Sequence, residues 1–569
     1  MDSRHCLWHI YIALVFALFI LTGCGGSGSN TKVDPTDSAD TPETIPTPTP
    51  ALGPEPLTRD AYNELSPSHQ YLVANRLLSA LFKGMPANRF FAPESISSAA
   101  NTLKLSAEGA DYLAKTRTAL AAPLTNKNEI VTRIEGDVDL NIAAKYTFDS
   151  NRPLQYPLAY LYETPLSDDY FARWMAYKLA NTIMFSPAEG IDSVDPLDVQ
   201  SLYENLVIAL KYDKPIRSII FTHEKSESNW RRFRSPEDNT REMIEIFLGL
   251  FNRDADVPKA SKTCKNWSLS DEDAGYQLII EPSENTEPQV ILDTYSVTTC
   301  DEFYAVVANH PLLIPRVTTV LVEHMFGEEY DATKRAALVR DIAAINPATF
   351  KELFLAILFS KEFLLNVERP KWFEESYYNV AERVYWRPYA AFFRDLNTNR
   401  SNANINASLP QMYQPAFSLK LGRPPTVPSD VLASAYQHNG LRSALLVRSN
   451  AQLMNDPSFD PSVIPSTGWG PELTAEVSTL SMDDFIGYMF ISVLGRAPNA
   501  DEASTLKQVI NSARTPAAST TADCTIPNSS TNNTSGCLLL FTTSNTANRA
   551  MVVMDYLSRL PELYFFNAV

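Results

Sequence analysis

The chain has 569 residues, enough to bury a large core and to hold more than one domain. Hydrophobic residues make up 45% and charged residues 20%, the usual balance of a globular protein. The net charge of −18 and the lack of any basic run argue against a nucleic-acid partner, because phosphate binding needs clustered Lys and Arg.

The N-terminus reads as an address. Arg4 supplies a thin positive region, offset by Asp2, and residues 10–21 form an unbroken apolar run too short to span a bilayer comfortably. The run ends in Leu21-Thr22-Gly23-Cys24, which resembles the lipobox of bacterial lipoproteins. That resemblance implies a signal peptide over 1–23 and a lipid-bearing Cys24 as the mature N-terminus. Two or three acyl chains would anchor it stably, each buried methylene adding ~0.8 kcal/mol. The rival reading is an ordinary signal peptide with a chance cysteine. Gly25 and Gly26 follow; in enterobacterial lipoproteins an Asp at the first of these positions favours inner-membrane retention, so the resemblance implies the outer membrane of a cell envelope. Residues 24–58, rich in Gly, Ser, Thr, Asp and Pro, read as a tether, since such a stretch buries too little apolar surface to offset its ordering entropy. After the N-terminus no long apolar run recurs, and mean hydropathy is −0.17, so a spanning protein is not expected.

A helical region is expected over 59–200. Residues 71–82 are amphipathic and stopped by Gly84 and Pro86, 101–120 read as two short helices, and 129–146 allow strands. Helices follow at 170–185 and 199–210, with a short one reaching 221. A second region spans 201–455 and is organised around 235–251. Ser235 is a good N-cap and Pro236 fits the first helical position; Asp238 stands where a capping box usually has Glu or Gln. Met243, Ile246, Phe247 and Leu250 make one apolar face. Residues 262–304 form an insertion of different texture, with short strands at 277–281 and 290–292. Helices resume at 311–326, 334–345, 347–365 and 373–395, before an Asn/Ser loop at 397–408. A C-terminal module over 456–569 holds helices at 483–494, 501–511 and 550–564 around a polar loop at 513–536. The class is mainly α: a multi-helix body with a small β-containing insertion.

Cys6 leaves with the signal peptide and Cys24 takes lipid. The remaining Cys264, Cys300, Cys524 and Cys537 suggest two disulfides in an oxidising compartment, with the local pairs Cys264–Cys300 and Cys524–Cys537 the natural choice among three connectivities. Metal binding is the rival, but C-x-x-C spacing is absent, and C-x-x-C-H for c-type haem is absent too.

For chemistry, Glu242 and Glu245, with Asp238 one turn earlier, could hold a metal or act as acid and base. Against this, carboxylates early in a capped helix are stabilising there and commonly pair with Arg; Arg241 is placed to meet Glu237 or Glu245. The mature chain has His69, His223, His310, His324 and His438. His310, before Pro311, and His324, beside Glu323, are the histidines to pair with the acidic helix; each also reads as a cap or core residue. H-E-x-x-H, G-x-S-x-G, Walker A and G-x-G-x-x-G are all absent, and no cofactor is evident. The aromatic run 372–393, including Trp372, Tyr378, Tyr385 and Trp386, reads as core or as a surface for stacking on sugars.

Asn239-Thr240-Arg241-Glu242-Met243-Ile244-Glu245 is similar to the N-x-A-R-E-L-x-E helix of the Domain of Unknown Function 1800 family of bacterial exported proteins. Asn309-His310-Pro311, the helix at 351–363 with Arg369-Pro370-Lys371 after it, and Leu421-Gly422-Arg423-Pro424-Pro425 follow in that family's order, over about residues 200–455. Asp213-Lys214-Pro215 and Gly495-Arg496-Ala497-Pro498 also resemble motifs of exported planctomycete-type proteins. The family's T-G-W segment is replaced here by 262–304. The resemblance implies a helical fold and an exported setting, and the family has no settled activity. Residues 350–365 and 549–566 look alike, which hints at a duplicated helical module. The leading expectation is a lipid-anchored envelope protein that binds a partner, as scaffold or accessory factor. The alternatives are an envelope hydrolase or metalloenzyme using Glu242, Glu245 and His310 or His324, and a glycan-binding protein.

Overall fold

The computed structural model describes residues 53–97, 103–122, 161, 165–180, 182–184, 196–271, 275–327, 330–371, 373–387, 468–469, 477, 479–512, 546–557, 560–563, 565–566 and 569. Cys24 and its lipobox, the segment 129–146, the turn at 421–425, His438, Cys524 and Cys537 lie outside them. Residues Ala51–Val569 form one compact unit. Its core is a single apolar cluster running from Tyr62 to Phe566, to which all three expected body segments contribute.

The fold is mainly α with small two-stranded sheets. Helix α1 (Pro67–Ala80) starts at Ser66, whose hydroxyl accepts from the His69 N–H, and is buried almost all round from Gln70 on. Gly84 follows it. A Cβ there would stand 2.3 Å from the Asn379 carbonyl, so only glycine lets the two segments approach so closely. Helices α2 (Asp168–Ala180) and α3 (Pro196–Lys211) pack along each other. Asp168 and Asp169 open α2, and Lys351 binds the first at 2.6 Å. Next come α4 (Ile216–Glu224), α5 (Glu227–Phe233) and the central α6 (Pro236–Leu248).

The insertion opens with α7 (Val257–Thr263). Strands β1 (Trp267–Leu269) and β2 (Leu278–Ile280) pair antiparallel, as do β3 (Gln289–Ile291) and β4 (Tyr295–Val297). The expected strands at 277–281 and 290–292 are therefore present. Cys264 and Cys300 are joined, with Cα atoms 4.4 Å apart, which clamps the whole insertion at its base.

Helix α8 (Cys300–Asn309) leads into α9 (Leu313–Phe326), and α9 packs against α10 (Ala332–Ala344). After α10 come α11 (Phe350–Leu358), strand β5 (Arg369–Pro370), α12 (Phe373–Arg383) and β6 (Trp386–Arg387). Strand β6 pairs with β7 (Gly468–Trp469). Helices α13 (Met482–Leu494), α14 (Ala500–Ser512) and α15 (Thr546–Leu557) pack together, and β8 (Phe565–Phe566) pairs antiparallel with β5.

Four elements differ from expectation. Helix 347–365 divides: α11 ends at Leu358, and Ser360 both donates to the Ile357 carbonyl and accepts from the Phe363 N–H, starting a separate π-turn over Glu362–Asn366. Helix 373–395 stops at Arg383, because Tyr385 takes a left-handed φ of 55° and Arg387 precedes a proline. Helix α8, unexpected from sequence, starts with a full capping box between Thr299 and Glu302. The tether is not loose to its last residue: Leu57 N–H donates to the Phe359 carbonyl at 3.1 Å and Lys361 N–H to that of Glu55 at 2.8 Å. Among the described residues no single helix is long and apolar enough to cross a membrane.

Candidate functional site

Helix α6 forms as its sequence dictates. The Ser235 hydroxyl accepts from the Asp238 N–H at 3.1 Å and shares a second contact with the Asp238 carboxylate, so the acid binds the cap side chain and not the cap backbone. Met243, Ile246 and Phe247 are buried as expected, and Gly249 closes the helix at φ 70°. Leu250 is only half-buried.

Arg241, beside Glu242 on α6, is engaged in local pairing. Arg241 binds Asp254 at 2.7 Å and Glu237 at 3.5 Å. Such exposed, solvent-screened pairs contribute little to stability. Glu242 is half-buried, and its carboxyl is pushed up, first by burial and then by the neighbouring Glu245, with Arg232 opposing. His310 closes α8. Its Nδ1 accepts from the Leu312 N–H at 3.2 Å, its ring lies 5.5 Å from that of Tyr295, and burial followed by Arg217 lowers its pKa. His324 is buried in the last turn of α9. Among the described residues no group of three His, Cys, Asp or Glu gathers that could hold a metal, so Glu242 and Glu245 do not meet His310 or His324 in such a set. Of the aromatic run, Tyr378 is fully buried with its ring edge-on to Phe82 at 6.0 Å, and Tyr385 donates to Asn88 at 2.9 Å. The side chains of Trp372, Phe373, Tyr377, Trp386, Tyr389, Phe392 and Phe393 lie outside the described residues.

A polar cluster lies on the other side of α6, and the sequence reading missed it. Asn239, on the buried face one turn before Met243, accepts from the Tyr304 hydroxyl of α8 at 2.8 Å. The Trp230 indole of α5 faces the same hydroxyl, and the Glu224 carboxyl at the end of α4 lies within its electrostatic reach. Asn229 holds this end of α4 by donating to the Glu224 carbonyl at 3.2 Å. Trp267 covers the cluster, 5.6 Å from Trp230 and 5.9 Å from Tyr304. Glu224 is fully buried, and burial alone raises its carboxyl well above the ordinary range. The one signal in the sequence was Asn239 itself, a polar residue in line with Met243 and Ile246.

Two further features are built by packing. Arg369 and Glu375 form a buried two-pronged pair at 2.7 Å on each arm. Helices α9 and α10 also leave a groove of about 530 Å³ between them. Pro315, Thr319, Ala336 and Val339 line it, with Glu323, Arg335 and Arg340 as charged members. No family model matches this chain, and neither does any curated protein or solved structure.

Proposed function

We propose that the protein is a lipid-anchored component of a bacterial cell envelope, at the outer membrane, that works by binding a partner as a scaffold or accessory factor. The observation that carries the exported setting is the Cys264–Cys300 disulfide, since such bonds persist in oxidising compartments and are rare in the cytosol. It agrees with an N-terminal address ending in Cys24.

Binding is favoured over catalysis by what the polar residues already do. Arg241 is held by Glu237 and Asp254, and the His310 ring nitrogen accepts a backbone N–H. The groove between α9 and α10 supplies a concave, largely apolar face of the kind that receives a partner's side chains. The test is site-specific photo-cross-linking in intact envelopes, with the probe at Val339. A discrete cross-linked species, lost on Ala336→Trp, supports the reading. Uniform or absent cross-linking removes it. One bound metal per chain, lost on Glu242→Ala, would restore the metalloenzyme alternative.

A further inference from the structure

Glu224, Trp230 and Asn239 come from α4, α5 and α6, and each is fully buried. Both carboxyl oxygens of Glu224 and the amide Nδ2 of Asn239 have no hydrogen-bond partner among the described residues, and the indole Nε1 of Trp230 has only the Tyr304 hydroxyl to act on. Leaving one such group unpaired costs about 1–3 kcal/mol. Natural cores leave few of them, and here they gather around one point. That point is the Tyr304 hydroxyl, which donates to Asn239 Oδ1 and feels both Glu224 and Trp230.

We infer that Glu224, Trp230, Asn239 and Tyr304 enclose a binding site for one small neutral hydrogen-bonding molecule, a single water. The donor and acceptor inventory fits it. The water accepts from the Trp230 Nε1–H and the Asn239 Nδ2–H and donates to a Glu224 oxygen, about three bonds, the usual number for a buried water. Two inward N–H donors disfavour a cation, and the carboxyl disfavours an anion.

The charged groups nearby are engaged elsewhere. On α8, Asp301 pairs with Lys225, the residue after Glu224. Arg232 of α5 acts on His223 and Glu242. Among the described residues burial alone acts on the Glu224 carboxyl and raises it, which favours the neutral acid. The buried disulfide fixes α8 beside the site, because Cys300 stands one turn before Tyr304.

A high-resolution crystal structure of the full chain tests the inference. The expected result is one spherical density peak bonded to Glu224, Trp230 and Asn239. A dry cluster, a direct bond from Glu224 to Asn239 or Trp230, or a peak with metal-like distances would overturn it. Infrared difference spectra of the wild type against Glu224→Gln give a solution check that needs no crystal. A hydrogen-bonded carboxylic-acid C=O band, lost in the variant, is expected. A band at the position of an isolated acid, or a carboxylate band alone, would overturn it.

Discussion

Glu375 and Glu224 are both fully buried carboxyls, and they differ in what faces them. Glu375 meets the Arg369 guanidinium on two arms, and Arg369 also donates to the Met325 carbonyl at 2.6 Å. A buried pair of this kind is weak evidence for net stability, but breaking one half leaves the other charge uncompensated. Glu375→Gln is thus expected to cost about 3–5 kcal/mol in denaturant unfolding. The double change Arg369→Met with Glu375→Leu is expected to recover most of that loss. Equal losses in the single and double variants would show that the pair adds nothing beyond its volume.

Glu224 has no such partner, so its effect on stability depends on pH. Its folded pKa lies well above the ordinary 4.5, so the folded state binds a proton that the unfolded state has released. The stability this contributes is complete below 4.5 and is lost as pH rises toward the folded value. His223 works in the opposite sense. Burial lowers it from 6.5 to about 4, so its contribution is present above 6.5 and lost as pH falls through that window. Glu224→Gln removes only the first effect. The variant's melting temperature should gain on the wild type as pH rises from acid to neutral, with the histidine's trend unchanged. Parallel curves for the two proteins would sink the assignment.

At the scale of elements, the insertion is where covalent chemistry does what packing does not. Its strands are three residues long, and Ile279, Ile280 and Val290 are exposed, so the two hairpins bury little of their own. The disulfide closes a sequence separation of 36, for which chain-entropy reasoning gives about 3–4 kcal/mol. Replacing Cys264 and Cys300 together with Ala should lower unfolding stability by that amount. It should also raise amide exchange in β1–β4 and at the start of α8 before the remainder of the body. Unchanged exchange in α8 would show that its capping box holds the helix without the clamp.

The same scale explains what was legible in the sequence. Helix α6 was readable because its start rests on Ser235 and Pro236 and its buried face on Met243, Ile246 and Phe247, all local signals. The Cys264–Cys300 pair was readable from cysteine parity and compartment. Helix α8 carried its own Thr299–Glu302 box, but the strand-like texture before it hid the change of period. The split at Ser360 rests on hydroxyl bonds to Ile357 and Phe363 that leave the apolar period unbroken, and Ser360 also bridges to Pro56, a contact that no window along the chain contains. The polar cluster was hidden because Tyr304 and Asn239 are 65 residues apart, so the one local signal, Asn239 on an apolar face, pointed to no partner. Glu242 and Glu245 drew attention because they are neighbours in sequence, which says little about convergence in space.

For the whole molecule, the decisive question is attachment. The chain joins the body at Gly53, whose Cβ position would lie 3.0 Å from Ile345 at the end of α10, and Glu55 pairs with Lys361 at 3.1 Å. The join is thus fixed by main-chain bonds from Leu57 to Phe359 and from Lys361 to Glu55, which tie it to the segment just after α11. That is the arrangement a tethered binding protein needs, because a frayed join would let the anchor pull the first residues off the core. The proposed anchor rests on Cys24. A single acyl chain gives only marginal, reversible membrane binding, whereas two or more hold a protein stably. Cys24→Ser should therefore abolish acyl labelling and move the protein from the membrane to the soluble fraction, with its melting temperature unchanged because the body keeps all of its contacts. Labelling that survives the substitution would remove the lipoprotein reading. Membrane association that survives without labelling would place the attachment in the apolar run 10–21, retained as an uncleaved segment.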